Sequence, residues 1–203
     1  TALKLPGEET GILSNYKRWS LMEHSNIAFG QGMTVTGMQM AQGYATIANK
    51  GVRMKPILVK KIETTEKSVI VENKPQVIEE VLAEKDAVAL TKMLLSVVEG
   101  DGTGKLARLD NYTVAGKTGT AQKVNPKTKA YDPHNYVGSF IGFVPATNPE
   151  FVIFVVFDSP KAGSHMGGVV AAPVFQKIAR DALAYRGMLG DKKPEVVAQK
   201  KEH

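Results

Sequence analysis

The sequence predicts a mixed α/β (α+β) fold in which an antiparallel sheet is flanked by helices. Two long segments in the first half repeat apolar residues at helical spacing, and three β-rich segments followed by a last helical pattern make up the second half. The chain has 203 residues, 43% of them hydrophobic, which is enough to bury one core. We therefore expect one domain, or a large part of one.

The first two helices have identifiable ends. Residues 35–48 keep helical spacing, with Thr34 or Thr36 able to cap the first turn and Gly51 able to end the last one. This pattern predicts a buried helix of about four turns. Residues 84–99 return to the helical period until a glycine-rich segment stops it.

A last helix is predicted over residues 168–186, with one apolar stripe packed on the sheet. The stripe consists of Val169, Val170, Val174, Phe175, Ile178, Ala179 and Leu183. Residues 1–186 then make up the predicted domain. Residues 187–203 hold Pro, Lys and Glu without a clear period, which predicts a mobile C-terminal tail.

Alternation of apolar and polar residues predicts two sets of strands. A small hairpin or three-stranded insertion is predicted from residues 57–62, 68–72 and 76–78. Three consecutive antiparallel strands are predicted from residues 112–122, 136–144 and 150–157. Residues 123–135 are polar and carry two prolines, and we predict a long loop there that stands over an edge of the sheet.

Composition excludes several classes of function. The formal net charge is +6, but the basic residues are scattered apart from a C-terminal cluster interleaved with glutamates, so no nucleic-acid groove is expected. There are no cysteines, which excludes disulfides and thiolate metal sites. The four histidines lack ligand spacing, and neither a metal nor another cofactor is expected. They are His24, His134, His165 and His203.

No anchor or targeting signal can be read from this segment. The longest apolar run, residues 151–157, is far shorter than the roughly 20 residues that span a bilayer as a helix. The chain begins at Thr1 without an initiator methionine, a basic region or an apolar region of a signal peptide. We expect it to be a piece of a longer protein.

The predicted strand at residues 114–121 carries a lysine, two hydroxyls and a glycine where apolar residues are usual. A glycine inside a strand marks close approach by another backbone or a ligand, and Gly119 lies between Thr118 and Thr120, whose hydroxyls share one face. That face can accept an extended substrate. On these four residues alone, an ordinary edge strand, with Lys117 discouraging aggregation, explains the pattern equally well.

A phosphate-binding P-loop is a further alternative for Gly116, Lys117 and Thr118. The first glycine that such a loop requires is replaced by Asn111, and a strand instead of a helix follows. The nearby glycines at 102 and 104 also fail the P-loop spacing, and we interpret them as a helix stop.

The order of several segments resembles the transpeptidase domain of class B penicillin-binding proteins, over nearly the whole chain. The segments are Leu-Pro-Gly-Glu at 5–8, Ile-Ala-Phe-Gly-Gln-Gly at 27–32, Ile-Ala-Asn-Lys-Gly at 47–51, Val-Val-Glu-Gly at 97–100 with Gly-Thr-Gly at 102–104, the strand at 114–121, Phe-Val-Pro at 143–145, and Gly-Gly at 167–168 before Ala-Ala-Pro-Val-Phe at 171–175. The resemblance implies a serine β-lactamase/transpeptidase-like fold that is incomplete here.

In this family Lys-Thr-Gly-Thr is the third active-site motif, alongside Ser-x-x-Lys with the nucleophile and Ser-x-Asn. Ser14 and Lys17 have the Ser-x-x-Lys spacing, but they follow the Leu-Pro-Gly-Glu loop, whereas the family's nucleophile lies well upstream. Ser25 and Asn26 lack the intervening residue of Ser-x-Asn. The resemblance therefore implies that the serine nucleophile is absent from this chain.

The resemblance assigns a role to each residue of the motif. Lys117 would face the absent serines, assist proton transfer and add positive potential. The hydroxyls of Thr118 and Thr120 would bind the terminal carboxylate of D-Ala-D-Ala or of a β-lactam. The backbone N–H of Thr120 would be one oxyanion donor, and Gly119 would let the substrate lie against the strand.

The implied function is that of a peptidoglycan D,D-transpeptidase of the division or sporulation branch, with this chain inactive alone. The implied partners are peptidoglycan stem peptides, β-lactam antibiotics, the N-terminal part of the same domain and cell-division membrane proteins. The implied location is the extracytoplasmic (periplasmic) face of the bacterial inner membrane, with an N-terminal anchoring helix outside this chain. Two alternatives stay open: a non-catalytic scaffold module of the same fold, and a serine β-lactamase or β-lactam sensor.

Overall fold

The structure, a computed structural model, describes residue 3 and residues 5–28, 30–128, 130–161 and 163–192. Its helices are α1 Leu21–Ala28, α2 Gly37–Ala48, α3 Glu84–Glu99, α4 Gly167–Val170 and α5 Ala172–Tyr185, with short 3-10 helices at Tyr16–Arg18 and Lys105–Ala107. Its strands are β1 Val52–Met54, β2 Lys61–Glu63, β3 Val69–Glu72, β4 Val77–Glu80, β5 Ala115–Val124, β6 Tyr131–Val144 and β7 Phe151–Asp158. Phe29 and the predicted tail from residue 193 onward lie outside the described residues.

Helix α2 begins with a capping box. The Thr36 hydroxyl accepts from the Gln39 backbone N–H, and the Gln39 side chain accepts in return from the Thr36 N–H. The prediction of a buried helix was wrong, because Thr46 is the one fully buried residue of α2 and Met38 is 41% exposed. Helix α2 therefore covers the core with one face and leaves the other open.

The predicted last helix is divided at Ala171 into α4 and α5. Pro173 has no N–H to continue the hydrogen-bond ladder, so the chain bends and a new helix starts around it. The predicted apolar stripe is also narrower than expected. Phe175, Ala179 and Leu183 are fully buried, whereas Val169, Val174 and Ile178 are exposed.

The main sheet has the order β5-β6-β7, and both pairs are antiparallel, as predicted. The prediction of a long loop over residues 123–135 was wrong. Strand β5 continues to Val124 and β6 already begins at Tyr131, and these two residues pair with each other. Asn125 instead closes a short turn, with its side-chain oxygen accepting from the Lys127 N–H. The sheet thus extends into a long β5–β6 hairpin.

The insertion between α2 and α3 contains two separate two-stranded sheets. The predicted hairpin is formed by β2 and β3, while β4 pairs with β1, a three-residue strand that the alternation pattern was too short to reveal. All residues of β2, β3 and β4 are exposed. The insertion contributes little to the core.

Helices cover both faces of the main sheet, which confirms the predicted layering. On one face α5 packs through Phe175 against Phe140 of β6, with ring centroids 4.7 Å apart in an edge-to-face arrangement. On the other face Phe143 of β6 packs among residues of α2 and α3, including Ile47 and Leu94. Strand β5 is positioned between these two layers.

Residues 187–192, predicted as the start of the mobile tail, hold defined contacts. The Tyr112 hydroxyl donates to the Met188 carbonyl at 2.7 Å, and Asp191 accepts from the Thr113 N–H at 2.7 Å. Lys192 pairs with Glu99 at 2.9 Å. This C-terminal strap, residues 187–192, fastens the chain beside the start of β5, so the packed part extends past residue 186.

Candidate active site on the edge strand

The four predicted site residues lie together on β5, which is one of the two edge strands of the main sheet. Its partner on one side is β6, and the register pairs Lys117 with Ile141 and Thr120 with Gly138. No other described strand pairs with β5. The opposite backbone edge of β5 is therefore the edge at which an extended ligand can add.

Lys117 is exposed beside this edge. Its Nζ donates to the carbonyl oxygen of Thr118 at 3.0 Å. Within the described ranges it makes no ion pair, in contrast to Lys123, which pairs with Asp158 at 2.6 Å. The Lys117 charge is therefore not neutralised by a neighbouring carboxylate and contributes positive potential at the strand.

The hydroxyl of Thr118 makes a hydrogen bond with a residue that lies outside the sheet. Its Oγ1 lies 2.7 Å from the Oγ1 of Thr103, and either oxygen can be the donor. Thr103 lies in the turn between α3 and the 3-10 helix Lys105–Ala107. From the sequence, that turn was interpreted as a helix stop and as part of the family resemblance, but the contact of Thr103 with Thr118 was not predicted.

The hydroxyl of Thr120 is held from the side of α4. It accepts a hydrogen bond from the backbone N–H of Gly167 at 3.1 Å. A Cβ on Gly167 would collide with the carbonyl oxygens of Ser139 and Gly119, so only glycine allows α4 to approach the β5–β6 pair this closely. In the sequence, Gly-Gly at 167–168 marks the contact of α4 with Thr120, and Gly-Thr-Gly at 102–104 marks the contact of Thr103 with Thr118.

Packing against β6 favours a glycine at position 119, which the sequence alone did not reveal. It pairs with Ser139 on β6, and a Cβ on Gly119 would fall 2.5 Å from the Ser139 Oγ. A side chain at position 119 would therefore have to displace the Ser139 hydroxyl. The role of Gly119 in admitting a substrate backbone stays a prediction.

The alternative serine has a different environment. The Ser14 hydroxyl accepts from the Trp19 indole N–H at 2.7 Å, and Asn15 rather than Ser14 caps the following 3-10 helix. No hydrogen bond between described residues joins Ser14 to Lys17 or to Lys117. The structure therefore does not assemble Ser14 and Lys17 into a nucleophile and base.

Two of the described histidines have aromatic packing partners. His24 lies edge-on to Trp19, and His165 stacks on Tyr136 with centroids 4.0 Å apart. Among the described residues no group of three or more His, Cys, Asp or Glu side chains can hold a metal ion. His203 lies outside the described residues.

A cavity of about 680 Å³ lies away from the motif, between α2 and the β1–β4 pair. Tyr44 and Arg53 are among its lining residues, and burial raises the pKa of Tyr44 to about 12. None of the residues from Lys117 to Thr120 lines it. We place the candidate site at β5 because the chemistry-bearing side chains converge there.

Among the described residues, no helix has the length and the apolar composition that crossing a membrane requires.

Comparisons with known proteins identify the family and the fold of the chain. The model of the penicillin binding protein transpeptidase domain matches residues 1–180. Penicillin-binding protein PbpB of Mycolicibacterium smegmatis is 39% identical over 186 residues, covering 88% of this chain and 28% of that protein. Stage V sporulation protein D of Bacillus subtilis is 39% identical over 189 residues, covering 93% of this chain and 29% of that protein.

A solved structure shows the same fold. Penicillin binding protein 3 of Mycobacterium tuberculosis, complexed with aztreonam, superposes with a TM-score of 0.83 at 34% sequence identity. The match covers 94% of this chain and 44% of that one, so the chain spans less than half the length of each of these three proteins. The fold is the β-lactamase/transpeptidase fold, and the chain belongs to the penicillin-binding protein transpeptidase domain family, among relatives of class B.

Proposed function

We propose that this chain is the C-terminal part of the transpeptidase domain of a peptidoglycan D,D-transpeptidase, and that its β5 edge strand binds the acyl donor. One observation carries the proposal. On an exposed strand edge, the hydroxyls of Thr118 and Thr120 are each held by a neighbouring group, beside the unpaired charge of Lys117.

The site suits the recognition of a carboxylate. An ionised carboxylate only accepts hydrogen bonds, and two hydroxyls on one strand together with a nearby ammonium supply donors and positive potential. The terminal D-alanine of a stem peptide and the bicyclic core of a penicillin both present such a group. Thr118 and Thr120 are therefore assigned to binding, and Lys117 to electrostatic stabilisation and proton transfer.

The acyl transfer itself requires a serine that this chain does not supply. Its oxygen attacks the carbonyl carbon of the D-Ala-D-Ala bond, the C–N bond breaks, and the serine proton passes to the departing nitrogen. We assign the backbone N–H of Thr120 to one half of the oxyanion hole and place the other half beside the serine. The serine belongs to a part of the domain outside these 203 residues.

The relatives support a role in cell-wall synthesis. Among them are a stage V sporulation protein, proteins named peptidoglycan D,D-transpeptidase, and a penicillin binding protein 3 complexed with aztreonam. We assign the whole protein to the division or sporulation branch, with stem peptides and β-lactams as ligands and division proteins as partners. We place it on the extracytoplasmic face of the inner membrane, held by an N-terminal helix.

Acylation by a fluorescent penicillin tests the proposal. The chain alone, the intact protein and its Lys117→Ala variant are compared, with Lys74→Ala as the matched control because Lys74 is an exposed lysine between β3 and β4. We expect the intact protein and the Lys74 control to be labelled. We expect Lys117→Ala to label at least about a hundredfold more slowly, since general acid–base groups contribute about that much or more.

The other outcomes separate the alternatives. Covalent labelling of the chain alone would place the nucleophile within it and contradict the assignment of an absent serine. An intact protein that stays unlabelled would favour the non-catalytic scaffold module. Rapid turnover of the penicillin, with release of the hydrolysed product, would favour a β-lactamase.

A further inference from the structure

The turn that carries Thr103 is fixed on several sides. The Gly104 N–H donates to the Val97 carbonyl at 2.9 Å, and a Cβ on Gly102 would fall 2.5 Å from the Val97 Cα. A Cβ on Gly168 of α4 would collide with the carbonyl oxygen of Thr103. The turn thus packs against α3 and α4, while Thr103 itself is exposed and its hydroxyl contacts Thr118 of β5.

The hydroxyl protons at this site can be counted. Each threonine hydroxyl has one proton to donate and can also accept. If Thr118 donates its proton to a bound carboxylate, its oxygen can only accept from Thr103, 2.7 Å away. Thr120 has the corresponding arrangement, because its oxygen already accepts from the Gly167 N–H. Both hydroxyls then have their acceptor side occupied and their protons free for the ligand.

We propose that Thr103 is a positioning residue of the carboxylate site: its hydroxyl donates to Thr118 and thereby commits the Thr118 proton to the ligand. The inference rests on the proposed function of β5. A hydroxyl that accepts one hydrogen bond becomes a stronger donor of the next, so Thr103 also strengthens the bond from Thr118 to the carboxylate. Thr103 acts through Thr118 and is not itself in contact with the reacting atoms.

This role makes two kinetic predictions. Because Thr103 contributes to holding an anionic group, its loss raises the ligand concentration for half-maximal acylation and leaves the limiting rate of acylation nearly unchanged. A ligand whose carboxyl is blocked as a methyl ester carries no negative charge there, so it gains little from Thr103. A merely structural contribution of Thr103 would affect both ligands alike.

The experiment measures acylation of the intact protein by benzylpenicillin and by its methyl ester. The variants are Thr103→Val, which is nearly isosteric but has no hydroxyl, Thr103→Ser, which keeps the hydroxyl, and Thr64→Val as a control in the β2–β3 hairpin. For Thr103→Val we expect half-saturation by benzylpenicillin to rise roughly three- to tenfold, the loss of one neutral hydrogen bond. Thr103→Ser and Thr64→Val should match the unsubstituted protein.

Two results would overturn the inference. In the first, benzylpenicillin acylates Thr103→Val as readily as it acylates the unsubstituted protein. In the second, the concentration for half-maximal acylation rises as much with the methyl ester as with benzylpenicillin. Thr103→Ala is measured in the same way if the valine variant does not fold. If the unsubstituted protein is not acylated at all, the proposed function fails, and this inference fails with it. If the unsubstituted protein is acylated but the Thr103 variants behave like it, only this inference fails.

Discussion

At the scale of single residues, several glycines allow neighbouring backbone or side-chain groups to approach closely. Gly119 faces the Ser139 hydroxyl, Gly167 lies over the β5–β6 pair, and Gly116 faces the ring of Phe140, where a Cβ would fall 2.6 Å from the Phe140 Cζ. These positions bring α4 and β6 close to the strand that carries Lys117. The residues with chemical roles are thus supported by neighbours that have no side chain at all.

Gly119→Ala should destabilise the protein in a way that a second substitution relieves. The added Cβ overlaps the Ser139 Oγ, which has to rotate away, and an unfavourable side-chain torsion of this kind costs about 0.5–1.5 kcal/mol in the free energy of unfolding. Ser139→Ala removes that oxygen, and the Ser139 Cβ would lie 3.9 Å from the new methyl, an ordinary contact distance. Urea denaturation of the intact protein and of both single variants and the double variant measures the effect. Equal stability of Gly119→Ala with and without Ser139→Ala would contradict the explanation.

At the scale of elements, the periodicity of apolar residues predicted those helices and strands whose pattern is local in the sequence. Helix α3 has the predicted bounds of residues 84–99, and the three strands of the main sheet follow in the predicted order. The break before Pro173 was predictable from its missing N–H, but the apolar stripe that runs through it concealed the break. The hairpin over residues 123–135 was missed because polar residues and two prolines there conceal any alternation of apolar and polar side chains, while the backbone makes the pairing.

The motif was predictable because four unusual residues follow one another on one strand. Thr103 was not, since its contact with Thr118 joins residues from different elements, and a glycine-flanked threonine is also a common helix stop. The C-terminal strap was missed for a similar reason. Its composition is that of a tail, and only the tertiary contacts of Asp191 and Lys192 show that it is held.

The C-terminal strap should make stability dependent on pH. Partial burial of Asp191 raises its pKa, but hydrogen bonds from Thr113 and Thr147 outweigh this effect and leave the pKa of Asp191 below its ordinary value. A carboxyl with a lowered folded-state pKa stabilises the fold above its unfolded pKa of about 3.9. That contribution is lost as pH falls through the lower folded-state pKa.

Asp191→Asn should therefore lower the free energy of unfolding at neutral pH by about 1–3 kcal/mol, the range for hydrogen bonds to a charged group. The difference from the unsubstituted protein should begin to shrink below about pH 4, where the unfolded carboxylate takes up its proton, and should shrink further as the pH falls through the lower folded-state pKa. Asp110→Asn is the control, because Asp110 is an exposed aspartate in the loop before β5. Denaturation curves between neutral and acid pH provide the test, and a difference that does not change with pH would contradict the assignment.

At the scale of the whole molecule, one sheet connects the two cores and the site. The α5 layer and the α2–α3 layer bury opposite faces of β5 to β7, and the candidate site lies on β5, one of the two edge strands of that sheet. Large apolar side chains nevertheless stay exposed on other surfaces, among them Leu21, Met22 and Met93. We expect the rest of the transpeptidase domain to cover part of this surface, since the matching solved chain is more than twice as long.

The central claim is that β5 binds the carboxylate of the acyl donor. A crystal structure of the intact protein acylated by a penicillin tests it most directly. We predict the penicillin carboxylate within hydrogen-bond distance of the Thr118 and Thr120 hydroxyls, with the ligand extended along the free edge of β5. A carboxylate bound elsewhere, with both hydroxyls unliganded, would contradict the account.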